Sequence, residues 1–194
     1  MWNMDQSTLT GRLLVAAPLL QEDSFRRSVV FVVDDADDGA LGVILNRPLD
    51  AAVGEVAEAW GSYASEPAVM FSGGPVGEDS GIALGSVGPG GEPPGWAPLE
   101  GGAPGLEGLG VVDLDGPPEV LGGALAAFRL FVGYAGWSSG QLAEEIGEGA
   151  WHVVDALPGD LFTNVPERLW SRVLRRQGGD LALLSTYPDD PGLN

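Results

Sequence analysis

The stretch at residues 133–146 is Gly-Tyr-Ala-Gly-Trp-Ser-Ser-Gly-Gln-Leu-Ala-Glu-Glu-Ile. Its first eight residues hold three glycines and two large aromatic side chains, and a helix-like pattern follows. A backbone with so many positions lacking a Cβ either turns tightly or is closely approached by other atoms. Residues 129–135 have the pattern of a strand, so this segment is predicted to join a strand to a helix. Ser138 and Gln141 have the spacing of a capping box for that helix, which is predicted to run through Glu148.

Residues 136–140 also match G-x-S-x-G, the motif of a hydrolase nucleophile elbow. The partners of such a nucleophile are missing, because the single histidine of the chain, His152, follows soon after in a predicted strand. A hydrolase would place its acid and its base further along the chain. Ser138 is therefore interpreted as a helix cap, and His152 as a structural residue with a catalytic role as the alternative.

The composition is strongly acidic. The 194 residues include 28 Asp and Glu against 9 basic residues, all arginine, for a net charge of −19. This charge repels phosphate backbones, so it disfavours direct nucleic-acid binding. Without lysine, Schiff-base chemistry is excluded. With no cysteine and one histidine, the sequence predicts no disulfide, no metal site and no cofactor.

The location is predicted to be cytoplasmic, with no membrane association. Residues 1–6 lack the basic and apolar regions of a signal peptide. The longest aliphatic or aromatic run, at residues 29–33, is far too short to cross a membrane.

The pattern of elements is mixed, which predicts an α+β fold in one domain covering residues 1–194. The β-branched run at residues 29–33 is typical of a strand buried on both faces, and the Asp38-Gly39 pair predicts a hairpin with the next strand. Asp50 is the predicted N-cap of a short helix.

The segment from Gly85 to Gly110 differs from the rest of the chain, since 15 of its 26 residues are glycine or proline. We predict a long surface loop or insertion there, within the single domain.

The final helix is the one basic element. It is predicted to begin at a cap formed by Asn164 and Glu167 and to end near Gln177 and Gly178. Its arginines share one face, and its apolar residues share the other. A docked amphipathic helix explains this pattern, and recruitment of an acidic partner or a phosphate is the alternative. The arginines concerned are Arg168, Arg172, Arg175 and Arg176.

Four motifs in order resemble those of the AlgH/YqgE-like family of bacterial proteins. They are the pair of segments at residues 11–16 and 25–30, the Gly-x-x-Gly-x-x-x-Asn-x-Pro pattern at residues 39–48, the Gly-Gly-Pro turn at residues 73–75, and Gly-Tyr-x-Gly-Trp-x-x-Gly-Gln-Leu at residues 133–142. The resemblance implies a bent, barrel-like mixed β-sheet with helices packed on its outside. Some members carry a transcriptional-regulator label. Because this chain is acidic, such a label fits an indirect effect on transcription better than direct binding to DNA.

The first functional hypothesis is a non-enzymatic binding or regulatory protein. Its protein or small-molecule partner would bind a surface built from three motifs, because exposed glycine and aromatic turns suit close approach. The candidate binding residues are Asn46, Arg47, Pro48, Ser72, Gly73, Gly74, Pro75, Gly133, Tyr134, Gly136, Trp137, Gly140, Gln141 and Glu145. Residues 72–75 have two interpretations, a tight turn between strands or a nest of backbone amides for an anion.

The second hypothesis is an enzyme with a pocket near Asn46, Gly74 and Trp137, on which Arg47, Tyr134, Gln141, Glu145 and His152 would also converge. The third is nucleic-acid binding through the arginine face of the final helix. The sequence does not specify an oligomeric state.

Overall fold

The computed structural model describes residues 8–99 and 105–188. Within these residues the chain forms a curled half-barrel sheet with helices around it, which confirms the mixed α+β class. The strands, in chain order, are β1 (Arg12–Ala16), β2 (Val29–Ala36), β3 (Gly39–Ile44), β4 (Pro48–Ala52), β5 (Val69–Ser72), β6 (Val76–Val87), β7 (Trp96–Pro98), β8 (Leu109–Val112), β9 (Leu125–Ser138) and β10 (Trp151–Asp155).

Short helices connect the strands. They are α1 (Val53–Val56), α2 (Pro118–Gly122), α3 (Gln141–Gly147), α4 (Pro158–Leu161), α5 (Leu169–Gln177) and α6 (Gly179–Leu184), with 3-10 turns at Glu58–Tyr63 and Pro166–Arg168. None of the helices in the described ranges has the length and apolar character needed to cross a membrane.

The sheet is organised around β9. Its main path has the order β10-β1-β2-β3-β9-β6-β8-β7, and β5 pairs with β4 and with β9. Along one edge, the long β9 pairs antiparallel with β6. Its other edge is shared, because β5 pairs parallel to it at Phe131 and Val132, and β3 pairs antiparallel to it from Ala135 onward. The glycine motif therefore lies where β9 passes from β5 to β3.

Three apolar clusters hold the layers together. One face of β1–β3 packs against α4 and α5, whose Trp170 and Val173 are buried in that cluster. The opposite face packs against α3 through Leu142. A third cluster, around Trp60 and Phe128, lies beneath α2 and the 58–63 turn. Each buried side chain of this size contributes about 1.5–3 kcal/mol, so apolar burial explains why the helices dock outside the curled sheet.

Several local predictions are confirmed. Residues 29–32 of β2 are buried on both faces of the sheet, and β2 and β3 form a hairpin that turns before Gly39. The helix α5 ends at Gln177 and is followed by Gly178, as predicted.

The predicted helix starts need correction. Asp50 lies inside β4, and α1 begins at Val53 instead. Ser138 is the last residue of β9, and Gly140 with φ 78° occupies the N-cap of α3. Gln141 accounts for the capping pattern, because its Oε1 accepts hydrogen bonds from the Ser138 backbone N–H at 3.0 Å and from the Ser138 hydroxyl at 3.2 Å.

The start of the final helix was also placed too early. Asn164 precedes a 3-10 turn at Pro166–Arg168 and Glu167 lies within that turn, so the α-helix itself begins at Leu169. Pro166 is the first residue of that turn. Its fixed φ and missing N–H are typical of the first position of a helix, so the helical segment starts at Pro166 and Asn164 does not cap it.

The predicted loop from Gly85 to Gly110 contains more regular structure than expected. It includes the end of β6, all of β7 and the first residues of β8, while residues 100–104 lie outside the described residues. Trp96 explains the order, since it is 9% exposed and its Nε1 donates to the Gly85 carbonyl at 3.0 Å. This buried indole anchors the β7–β8 hairpin to the edge of the sheet despite the glycines around it.

Candidate functional site

A cleft of about 420 Å³ lies beside the beginning of α5. It is bordered by the segment between β1 and β2, by the residues between β3 and β4, and by the first turn of α5. Three of the nine arginines of the chain line it. Its lining residues are Arg26, Arg27, Asn46, Arg47, Glu167, Trp170 and Ser171, and we call it the arginine cleft.

The backbone of Arg27 is strained. Its φ is 52°, and it is the one residue other than glycine with a positive φ in the described part of the chain. Asn46, only 8% exposed, compensates this strain by bonding to both sides of the turn: its Nδ2 donates to the Arg27 carbonyl at 2.9 Å, and its Oδ1 accepts from the Val29 N–H at 2.9 Å. Asn46 thus shapes the wall of the cleft, and strain of this kind is common at functional sites.

Arg47 ties the cleft to the neighbouring strand. Its guanidinium donates to the carbonyls of Asn46, at 3.3 Å, and of Arg26. Its own carbonyl accepts a hydrogen bond from the Ser72 N–H at 2.8 Å. Burial lowers the pKa of Arg47, because the charged guanidinium loses part of its hydration. The side chain is therefore a partly desolvated cation held in a fixed position.

Trp170 supports the second arginine. Its indole is 3% exposed, and its Nε1 donates to the Ala16 carbonyl at 2.9 Å. The guanidinium of Arg27 lies over this ring, with its Cζ 4.4 Å from the ring centroid, and also donates to the Tyr187 carbonyl. A cation stacked on an anchored indole keeps few alternative rotamers, so Arg27 is oriented before any ligand arrives.

The charged residues that line the cleft are mostly arginines, in contrast to the acidic composition of the whole chain. Glu167 is the one acidic residue among its lining residues, which include three arginines, whereas the chain carries a net charge of −19. Guanidinium groups bind carboxylates and phosphates by charge-assisted hydrogen bonds, often two at a time. The cleft is therefore chemically suited to an anionic group.

The predicted residues at 72–75 and 133–134 lie where the chain crosses β9. Between Ser72 and Val76 the chain passes from one edge of β9 to the other. A Cβ on Gly74 would lie 2.2 Å from the carbonyl carbon of Tyr134, and a Cβ on Gly133, whose φ is 68°, would lie 2.6 Å from the Gly74 oxygen. These glycines therefore allow two segments of the chain, residues 72–76 and β9, to pack closely against each other.

This crossing bears on the two interpretations of residues 72–75. The segment joins two strands as a turn, although β5 and β6 both pair with β9 and do not pair directly in the described sheet. The Gly73 N–H donates to the Val132 carbonyl at 2.7 Å, which uses one amide that a nest would need. Pro75 follows on the exposed side of the crossing.

The predicted residues at the end of β9 and in α3 belong to a second cluster. The carboxylate of Glu145 accepts hydrogen bonds from Trp137 Nε1 at 2.9 Å and from Trp151 Nε1 at 2.8 Å, both on Oε2, and from Gln141 Nε2 at 2.9 Å on Oε1. The two indoles meet edge to face at 5.9 Å, and Phe25 packs against both. We call this group of five side chains the indole–carboxylate cluster.

The cleft and the indole–carboxylate cluster belong to opposite faces of the sheet. Trp170 packs with the face of β2 that carries Val29 and Phe31, and Trp137 packs with the face that carries Val30 and Val32. Of the fourteen predicted binding residues, the arginine cleft includes two, Asn46 and Arg47. Three further predicted residues lie in exposed positions, Pro48 at the start of β4, Gly136 within β9 and Gly140 before α3.

Comparison with known proteins agrees with this architecture. The family model described as AlgH-like (DUF179) matches residues 13–182. The chain belongs to the AlgH-like family. It is 55% identical to a UPF0301 protein of Thermobifida fusca (strain YX), over 99% of this chain and 98% of that one, and 52% identical to a UPF0301 protein of Streptomyces coelicolor, over 97% and 96%.

Two solved structures are similar to this AlgH-like chain. A crystal structure of a protein from Corynebacterium diphtheriae has a TM-score of 0.84 and 32% identity, covering 92% of both chains. The solution structure of the AlgH protein from Pseudomonas aeruginosa has a TM-score of 0.66 and 29% identity, covering 98% of this chain and 100% of that one.

The arginine face of α5 is partly used within the AlgH-like fold itself. Asp160, 2% exposed, accepts a hydrogen bond on Oδ1 from Arg176 Nη1 at 2.7 Å and lies 3.6 Å from Arg172 Nη2. These ion pairs dock α5 on α4, as the amphipathic interpretation predicts. Arg168 and Arg175 are exposed.

His152 lies in β10, opposite Val15 of β1. Its buried Nε2 has no hydrogen-bond partner among the described residues, and burial lowers its pKa. It is not among the residues that line the arginine cleft. The enzyme hypothesis brought Asn46 and Glu145 into one pocket, with His152 as an optional further member. In the described structure Asn46 lines the arginine cleft, whereas Glu145 bonds to the indoles on the other face of the sheet.

The sequence analysis assigned no binding role to five of the residues that line the cleft: Arg26, Arg27, Glu167, Trp170 and Ser171. One pattern could have drawn attention to the first two, since adjacent arginines occur at only two places in this lysine-free, acidic chain, at 26–27 and at 175–176. The contribution of α5 has no comparable pattern, because Trp170 is an ordinary core position of an amphipathic helix.

Proposed function

We propose that this AlgH-like protein is a cytoplasmic binding protein that holds a small ligand in the arginine cleft and has no catalytic activity of its own. The observation that carries the proposal is the gathering of three arginines and a buried, strain-compensating asparagine around one cleft of about 420 Å³. Small-molecule sites are concave, preformed and few in a protein, and a volume of roughly 300–1,000 Å³ is typical of them.

The residues around the cleft suit binding better than catalysis. The arginines and Asn46 can donate hydrogen bonds, but they are poor proton acceptors. The Ser171 hydroxyl donates to the Arg168 carbonyl at 3.2 Å, and no hydrogen bond in the described structure joins it to Glu167, the single carboxylate among the lining residues. The absence of cysteine leaves the fold independent of disulfides, which supports the cytoplasmic location in this proposal.

Any regulatory role is proposed to be indirect, without contact to DNA. A net charge of −19 opposes association with a polyanion, and two of the four arginines on the final helix are paired with Asp160. Fluorescence anisotropy with labelled duplex DNA, titrated with salt from low ionic strength, tests this part. Binding that weakens steeply with salt would contradict it.

A ligand screen on the full chain tests the proposal. Thermal-shift measurements against anionic, neutral and cationic metabolites identify candidates, and NMR with labelled indole groups locates them. A ligand in the cleft is expected to shift the Trp170 indole N–H resonance and to leave that of Trp96, in the β7–β8 hairpin, in place. If every compound that raises the melting temperature leaves the Trp170 resonance unmoved, the cleft is not the binding site and the proposal fails.

A further inference from the structure

We infer that the outer edge of β10 is a docking surface for a second copy of this chain, which pairs with it as an antiparallel strand across a twofold axis. This inference is independent of the arginine cleft and of any ligand there. Among the described residues β10 forms one end of the sheet and pairs with β1 alone, so its other edge carries no strand. Such an edge is a template for pairing with another chain.

The other two outer strands have features that discourage such pairing, and β10 lacks them. β4 begins with Pro48, and its register with β5 shifts before Ala52. β7 has three residues and ends with Pro98. Proline, irregular pairing and short length are common means of blocking a sheet edge. β10 instead has five residues in unbroken register with β1, and none of them is proline, lysine or arginine. It is therefore the unprotected edge of the described sheet.

The hydrogen bonds next to β10 show which of its backbone groups point outward. The Ala17 N–H donates to the Ala150 carbonyl at 2.9 Å, immediately before β10 begins. In an antiparallel ladder every second residue turns its N–H and C=O toward the partner strand. Counting from Ala150, the backbone groups of Trp151, Val153 and Asp155 therefore point away from β1, toward the outer edge.

These outward groups are complementary to those of a second β10. With the twofold axis at Val153, the N–H and C=O of Val153 in each copy bond to those of the other, and Trp151 lies opposite Asp155. This register pairs the whole of both strands, whereas a slip in either direction leaves residues unpaired. Arg176 Nη2 already donates to the Asp155 carbonyl at 2.7 Å. The bonds that form are thus those of the Val153 pair and one from each Asp155 N–H to the Trp151 carbonyl opposite.

Exposed leucines lie at opposite ends of the same edge. Leu19 is 78% exposed and comes two residues after Ala17, which bonds to the residue before β10. Leu157 is 50% exposed and comes two residues after the end of β10. Antiparallel pairing brings the end of one β10 to the beginning of the other, so Leu157 of each copy approaches Leu19 of the other. Their burial adds an apolar contribution to the hydrogen bonds of the strands.

The charges at the two ends of β10 favour the same arrangement. Beside its end three guanidinium groups share two carboxylates, which leaves one positive charge. These residues are Arg12, Arg172 and Arg176 with Asp155 and Asp160. Beside its beginning, Glu148 is exposed and lies three residues before Trp151. The twofold axis places the positive end of each copy near Glu148 of the other. An edge with opposite charges at its two ends fits a copy of itself better than a peptide of one charge.

Sedimentation velocity of the full chain, from micromolar to millimolar concentration, tests the inference. We expect the sedimentation coefficient to rise with concentration toward that of a dimer. Leu19→Asp should weaken the association about ten-fold or more, because its carboxylate would be buried beside Leu157 of the other copy. Val120→Asp is the matched control, since Val120 is 56% exposed on α2, beside the third apolar cluster, and the change adds the same charge. Its association should stay within about two-fold of the parent.

A cross-linking measurement locates the contact. The chain has no cysteine, so Val153→Cys can form a disulfide only between two copies. In the twofold register these positions face each other with Cα atoms about 5.5 Å apart, within the range that a disulfide spans. Oxidation should therefore give a covalent dimer faster with Val153→Cys than with Val120→Cys, although Val120 is the more exposed.

Three results would overturn the inference. One is a chain that remains monomeric at every concentration. Another is an equal effect of Leu19→Asp and Val120→Asp on the association. The third is cross-linking of Val153→Cys that is no faster than that of Val120→Cys, because the edge of β10 would then lie outside the contact.

Discussion

Replacing Glu145 with alanine is expected to destabilise the fold markedly, although Glu145 is only half-buried. Its carboxylate is the shared acceptor of two indole N–H groups and one amide, at 2.8–2.9 Å. The indoles themselves belong to side chains that are 5% and 3% exposed, Trp137 and Trp151. Without the carboxylate these two donors lose their hydrogen-bond acceptor inside an aromatic cluster.

The magnitude follows from the number and kind of bonds. A hydrogen bond to a charged group contributes about 1.5–3 kcal/mol, and an unsatisfied buried donor costs about 1–3 kcal/mol. Since water can reach the half-exposed side of Glu145, we take the lower end for each indole and expect a loss of about 2–4 kcal/mol. For a chain of this size that corresponds to a fall in melting temperature of about 5–12 °C.

Two further variants separate the causes. Glu145→Gln keeps an oxygen for the indoles but sets its amide against that of Gln141, so it should lose about half as much stability as Glu145→Ala. Glu144→Ala removes an exposed neighbouring carboxylate of α3 and should change stability by less than about 0.5 kcal/mol. Urea unfolding followed by tryptophan fluorescence measures all three. If Glu145→Ala is no less stable than Glu144→Ala, the bridging role of the carboxylate is refuted.

Three other perturbations have defined outcomes. Gly133→Ala and Gly140→Ala each place an alanine at a positive φ, 68° and 78°, but only the new Cβ at position 133 would collide with backbone atoms. Urea unfolding should show that Gly140→Ala lowers the free energy of unfolding by about 1–2 kcal/mol and that Gly133→Ala lowers it clearly more. Arg129→Met leaves three carbonyls without their hydrogen-bond donor. It also removes a guanidinium whose pKa is lowered to about 10 by burial. We expect the free energy of unfolding to fall by about 2–4 kcal/mol in the same assay. Burial lowers the pKa of His152 below 6.5, so the unfolded chain takes up the proton first and the stability of the fold decreases as the pH drops through 6.5. His152→Gln should reduce this decrease. If the stability of His152→Gln depends on pH as that of the parent does, the lowered pKa of His152 is contradicted.

The elements that could be predicted from the sequence are those determined by residues close together in the chain. The uninterrupted apolar run of β2, the Asp38-Gly39 turn and the end of α5 at Gln177 were all recognisable because neighbouring residues determine them. The boundary errors have local causes as well. Ser138 was assigned to a helix because a capping pattern is similar whether the serine starts a helix or ends the strand before it.

The candidate site was only partly predictable, because it depends on contacts between residues distant in the chain. Asn46 and Arg47 were recognised from a motif, whereas Arg27 and Trp170 meet through the docking of α5, which no short pattern describes. Trp137, Gln141 and Glu145 were recognised as a group, and their spacing indeed brings them together. Their assignment to the same surface as Asn46 assumed one face of the sheet, and the alternation of β2 separates the two.

The motifs that identify this chain as AlgH-like are explained largely by contacts within the chain. Gly74 and Gly133 are needed where the chain crosses β9, and Asn46 is needed to hold a strained turn. A ligand is not required to explain these residues, so family membership by itself indicates the fold more strongly than it indicates a ligand. The arginine cleft is a separate case, because three of its seven lining residues are arginines in a chain whose net charge is −19. Binding experiments should therefore begin there.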